Sequence, residues 1–154
     1  MTAPPTRHVP IGGVLDEVAF TVEEGKIGEF ARATRATDAV HTCRRTALDA
    51  GLTGIAATPT HVVVAGHHRN QAEFVAALGL AIERIVVGSV DWEYSRPLVV
   101  GDRLTGTRRV VDDTVRDGHR GGRMRLVTLE TRWVDADGDV VVTQREVLIE
   151  RGAK

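Results

Sequence analysis

The chain lacks most of what would assign it quickly. It has one cysteine, Cys43, in 154 residues, so no intrachain disulfide can form and the cytosol is the expected compartment. It has no excess of charge of either sign: 20 Lys and Arg face 21 Asp and Glu, a net charge of −1. That balance leaves no electrostatic footprint for nucleic acid or for an anionic membrane, and neither is expected as a partner. No apolar run approaches the ~20 residues that span a bilayer. The opening "MTAPPTRHVP" has no hydrophobic segment and does not read as a secretory signal. Proline is scarce, and three of the 5 prolines, Pro4, Pro5 and Pro10, fall in that opening. Residues 1–13 are therefore expected to form a loose tail before a single domain, 14–151. Repeats and linkers are absent, and no metal is expected. No Cys/His/Asp set has zinc-site spacing, and the adjacent His67 and His68 point about 100° apart on a helix.

What is present divides by halves. Helical signals cluster early and strand signals late, which predicts an α+β fold rather than an alternating parallel one. "VLDEVAFTV" (14–22) reads as a strand. Thr21 and Glu24 then form a capping-box pattern ahead of Ile27, Phe30, Ala31 and Thr34, which share one helical face. A short helix over 42–50 should stop at Gly51. The segment 56–80 is the most apolar helical region and is expected to supply a central buried helix. It forms one helix with a break or two helices, since Asn70 and Glu73 repeat the capping pattern. From Arg84 the period becomes two: Val90, Trp92 and Tyr94 alternate with polar residues. Long strands are predicted over 103–115, 123–135 and 140–150, with "DADGD" (135–139) as a hairpin turn. The order suggests an antiparallel meander curved around one helix.

Three stretches carry a family likeness: "EFARATRATDAVH" (29–41), "GLTGIAATPT" (51–60) and "DWEYSRPLVVGDRLTG" (91–106). Across roughly 14–150 the chain resembles the MaoC-like hot-dog proteins. The nearest branch is the N-terminal MaoC-type dehydratase branch, which includes subunits of (R)-3-hydroxyacyl-thioester dehydratases. The resemblance implies a hot-dog fold, dimerisation as a homodimer or with a second hot-dog subunit, and an acyl thioester of CoA or acyl carrier protein as substrate. No other cofactor is implied.

Catalytic members of the wider family carry a pattern like Gly-Asp-x-Asn-Pro-x-His, whose aspartate and histidine move protons as water leaves or joins an enoyl thioester. Here the pattern falls on residues 35–41. His41 is kept, Ala36 takes the place of the catalytic aspartate, and Asp38 and Ala39 stand where asparagine and proline would be. Asp38 is two residues out of place, and such constellations fail with displacements of about 1 Å, so it reads as an N-cap. Thr58, Pro59, Thr60 and His61, at the expected start of the central helix, are candidate substrate contacts. Backbone N–H groups there suit a thioester carbonyl. Arg44, Arg45, Arg96 and the basic tip "RDGHRGGR" (116–123) are candidate phosphate or carrier contacts. Cys43 has basic neighbours but nothing that marks a nucleophile. Three functions fit: a dehydratase or hydratase with an atypical site, an acyl-binding subunit whose partner supplies the dyad, or an acyl-thioester hydrolase using Asp38 or Glu73.

Overall fold

The computed structural model describes residues 8–118 and 122–152. The first seven residues of the expected tail and the centre of the basic hairpin tip, 119–121, lie outside them. Five strands, β1 (Val14–Thr21), β2 (Ile85–Tyr94), β3 (Arg103–Asp117), β4 (Arg123–Val134) and β5 (Val140–Arg151), form one antiparallel sheet in the order β1-β3-β4-β5-β2. This is the α+β hot-dog arrangement expected from the sequence, with one correction. The last four strands are not a simple meander, because β2 pairs with β5 rather than with β3.

The segment between β2 and β3 therefore returns the chain from one side of the sheet to the other. It is held on the way by Ala57 N–H to Leu98 O (2.8 Å), Val100 N–H to Ile55 O (2.9 Å) and Gly101 N–H to Val22 O (2.9 Å). Local alternation finds strands but carries no information about which strand each one pairs with. The β4–β5 turn is as expected: Gly138 takes φ +88°, and the Asp135 carboxylate accepts from the N–H groups of Asp137 and Asp139.

Three α-helices, α1 (Glu24–Thr34), α2 (Arg44–Asp49) and α3 (Gln71–Ala77), and a 3₁₀ helix, His61–His68, accompany the sheet. α1 buries Ile27 and Ala31. The Thr21 capping box does not form: Thr21 ends β1, and the cap residue is Glu23, whose side chain makes no capping bond. α2 is followed by Gly51 at φ +82°, as predicted. The segment 56–80 forms two helices with a break at Arg69, one of the two expected arrangements, but the first of them is a 3₁₀ helix rather than an α-helix. The sequence "HVVVAGHH" explains this, because three consecutive valines and a glycine are poor α-formers. Asn70 caps α3 through its side chain, accepting from Glu73 N–H at 3.2 Å. The expected loose tail is also corrected in part. Val9 is buried and its N–H bonds to Ala77 O (3.0 Å), while Gly12 N–H bonds to Val110 O (2.7 Å).

The inner face of the sheet holds two apolar clusters. One gathers Phe20, Ile27, Leu98, Leu104, Trp133 and Val142; the other gathers Val75, Leu78, Val110, Val127, Leu129 and Leu148. Gly106 belongs beside the first. A Cβ there would stand 2.4 Å from the Trp133 indole, so only glycine lets the ring lie flat across β3. Between the clusters runs a row of polar side chains in direct register: Asp16 on β1, Arg108 on β3, Thr131 on β4, Gln144 on β5 and Trp92 on β2.

Candidate functional site

His41 ends a 3₁₀ turn, Ala39–His41. Two hydrogen bonds stitch that turn to the segment before the 3₁₀ helix. Ala56 N–H donates to Val40 O at 3.0 Å, and His41 Nδ1 lies 2.7 Å from Ala56 O. A carbonyl can only accept, so Nδ1 is the donor in this contact, which in the neutral ring leaves the lone pair on Nε2. The ring is half-buried and is turned toward the segment that leads to His61.

The carboxylates of the sequence reading do not join it. Ala36 is half-buried just past the end of α1, its N–H bonded to Ala31 O (2.8 Å) in the turn that Arg35 makes at φ +56°. Asp38 is exposed and caps the 3₁₀ turn, accepting from Val40 N–H at 3.0 Å, which is the N-cap role expected of it. Glu73 is exposed on the first turn of α3 and lines a cleft with Asp16, Arg69 and Phe74 that holds none of residues 36–61.

In the segment Thr58–His61 the two end residues, Thr58 and His61, are buried. Thr58 Oγ1 and both His61 ring nitrogens are buried without hydrogen-bond partners among the described residues. His61 packs edge-on against Phe30, with ring centroids 5.6 Å apart, and burial pushes its pKa down. Its backbone N–H is already bonded to Thr58 O at 3.0 Å. An oxyanion site at that amide, suggested by the helix-start reading, is thus occupied by the turn itself. Pro59 is exposed, and its carbonyl accepts from the Tyr94 hydroxyl, whose pKa burial raises to about 12. Thr60 is the cap residue of the 3₁₀ helix.

Arg44 and Arg45 are exposed on α2. Arg96 is not available for a phosphate. Its guanidinium donates twice to Asp102 (2.8 and 3.1 Å) and once to Asp135 (3.2 Å), clamping the return segment to the β4–β5 turn. Cys43 is an exposed free thiol at the start of α2, with its pKa lowered mainly by hydrogen bonding to Thr46. Among the described residues no group of His, Cys, Asp and Glu could hold a metal ion, and no helix is long and apolar enough to cross a membrane.

Sequence reasoning missed a second locus. A cleft of about 350 Å³ opens over the polar row, lined by Arg108, Thr131, Gln144, Trp92 and Glu146 from the sheet and by Val62, Arg69 and Phe74 from above. Asp16 is shared by two cations: it accepts from both Arg69 and Arg108. Arg108 lies over the Phe74 ring at 4.2 Å and Arg69 over Trp133 at 5.6 Å. Buried beside these contacts, Arg108 Nε and Trp92 Nε1 have no hydrogen-bond acceptor among the described residues. The signal was present in the strands. Arg108 falls in phase with Leu104 and Val110, and Gln144 with Val142 and Leu148, so each is a polar residue at an inward position.

Comparison with known proteins gives a consistent picture. A family profile described as FAS1-like, dehydratase domain region, matches residues 10–144. A UPF0336 protein of Clavibacter michiganensis subsp. michiganensis is 36% identical over 148 residues, covering 92% of this chain and 93% of its own length. One similar solved structure is a C-terminally truncated HadBC (3R-hydroxyacyl-ACP dehydratase) complex from Mycobacterium tuberculosis. It matches with a TM-score of 0.74 at 20% identity, covering 87% of this chain and 94% of that one. Another, a MaoC-like dehydratase, has a TM-score of 0.75 at 23% identity over 88% of this chain, which spans 40% of that longer chain.

Proposed function

We propose a function on the premise that this chain belongs to the FAS1-like dehydratase-region family of MaoC-like hot-dog proteins. It is the acyl-holding subunit of an (R)-3-hydroxyacyl-thioester dehydratase, and a second hot-dog chain supplies the aspartate and histidine that move protons. One observation carries this reading. The position of the catalytic acid is a methyl group, Ala36, and the nearby carboxylate of Asp38 is exposed and engaged in capping. Dehydration removes a proton from C2 and the hydroxyl from C3, and the hydroxyl leaves as water once protonated. Both transfers need a positioned acid and base. His41 has no carboxylate beside it and so forms no such pair in this chain; it serves as a pocket residue. The similar HadBC structure is a complex, which supports assembly with another subunit as the source of the dyad.

The reaction is acid–base chemistry on a thioester and requires no cofactor beyond the CoA or carrier that bears the acyl group. The lone thiol of Cys43 suits the cytosol, where that reaction is expected to run.

Co-expression with a hot-dog chain that carries an intact dyad tests the proposal. The expected result is a stable complex that hydrates 2-enoyl-CoA, while the isolated chain is inactive. His41→Ala here should leave the kcat of the complex within about threefold, whereas loss of the partner's dyad abolishes it. Full activity of the isolated chain, lost in His41→Ala, would favour a second reading, a self-sufficient hydratase built on the available Nε2 of His41.

A further inference from the structure

The polar row across the middle of the sheet has no place in the chemistry above. Five strands contribute one residue each at the same level, where the rows on either side are mostly apolar. A row of this kind on an inward face is costly unless its groups are paired, and here they are paired only in part. The Asp16 carboxylate takes both arginines. Gln144 Oε1 accepts from Trp133 Nε1 at 3.4 Å. Two donors of the row are fully buried without a partner among the described residues, Arg108 Nε–H and Trp92 Nε1–H, on side chains that line the cleft, and Arg108 is only 3% exposed.

The cover over the row is also unusual. A 3₁₀ helix with Gly66 and a break at Arg69 stand where a continuous α-helix would close the face. The resulting space, about 350 Å³, falls in the range of small-molecule sites.

We infer that this cleft is the subsite for an acyl group carrying a neutral acceptor oxygen, such as a keto group, along its chain; this rests on the acyl-thioester reading above. The two fully buried unmet groups are both donors, so the ligand atom that matches them is an acceptor. Charge around the cleft is balanced: Arg69 and Arg108 face Asp16 and Glu146, and this favours a neutral oxygen over a carboxylate. The indole of Trp92, the Trp133 ring and Phe74 supply apolar walls for the flanking methylenes. Arg108 and Trp92 stand on strands three intervals apart, about 14 Å at the backbone. They meet different points of a chain lying across the sheet.

The two tryptophans of the protein, Trp92 and Trp133, both line the cleft and report its occupancy by fluorescence, with calorimetry as a second measurement. The ligands are dodecanoyl-CoA, its 6-, 8- and 10-oxo analogues, and dodecanedioyl-CoA, each titrated into the full chain. At least one oxo analogue should bind about two- to tenfold more tightly than dodecanoyl-CoA, the range for one hydrogen bond gained. Trp92→Phe should erase the preference for its isomer while dodecanoyl-CoA still binds. Arg108→Met is the second variant, should Trp92→Phe not fold. Equal binding of plain and oxo chains overturns the inference and leaves the acyl reading standing. A preference for the dicarboxylic ligand overturns it as well. No binding of any acyl-CoA overturns the acyl reading and this inference together.

Discussion

At the scale of the residue, Ala36 and His61 each make a measurable claim. Ala36 has no ionisable group, while His41 lies five positions on with Nε2 available. Ala36→Asp should therefore give the isolated chain hydratase activity where it had none. A well-positioned acid or base contributes about 10² to 10⁴ in rate. The gain should fall at or below the bottom of that range, because Ala39 replaces the proline that fixes the loop in catalytic relatives. A steady-state assay on a short enoyl-CoA reads it, and adding His41→Ala should remove it; activity that survives would place the chemistry elsewhere. His61 acts on stability instead. Burial without partners lowers its pKa in the folded state below the unfolded value of about 6.5. The unfolded chain then binds the proton first, so stability is complete above about pH 6.5 and declines as pH falls through and below it. Thermal melts between pH 7.5 and 5 should show this decline, and His61→Phe should flatten it.

At the scale of the element, the break between the 3₁₀ helix and α3 sets where Arg69 goes. Asn70 holds that break by capping α3. Asn70→Ala should cost about 1 kcal/mol of stability in urea unfolding, the usual worth of an N-cap. A loss below about 0.3 kcal/mol would show that tertiary contacts alone position α3. The same elements show how much could be read in the sequence. Strand positions were legible because alternation is a local signal: "DWEY" and "TLETRWV" announce their inward residues. The cap at Asn70, the stop at Gly51 and the capping role of Asp38 were legible for the same reason. The first half of the central helical segment was read as α rather than 3₁₀ because the apolar content of 61–65 was weighed above its run of valines. The pairing of β2 with β5, and the row that joins Asp16 to Trp92, depend on register between strands 50 to 90 residues apart, which no window of sequence contains. His41 was legible only through its motif; that its Nδ1 is held by Ala56 belongs to the tertiary structure.

At the scale of the molecule, the sheet ends in two edges, β1 and β2. On and beside β2, Ile82, Val86 and Val87 are exposed. An apolar edge invites pairing with another strand, so the isolated chain should associate. Light scattering at micromolar concentration is expected to give about twice the 16.7 kDa of one chain, and Val87→Lys should shift it toward the monomer. A monomeric mass at every concentration would remove the edge as an interface.

The return of the chain across the sheet before β3 has a consequence during synthesis. β2 leaves the ribosome long before its only neighbour in the sheet, since Ile85 pairs with Glu150. At about 5–20 residues per second, β2 waits roughly 3 to 13 seconds for β5 to appear. Through that interval its valines have no strand to lie against, and the hairpin of β3 and β4 must form first. The sheet is thus closed by its final strand, and a nascent chain stalled before residue 140 holds an unpaired β2, the species in this protein most in need of a chaperone.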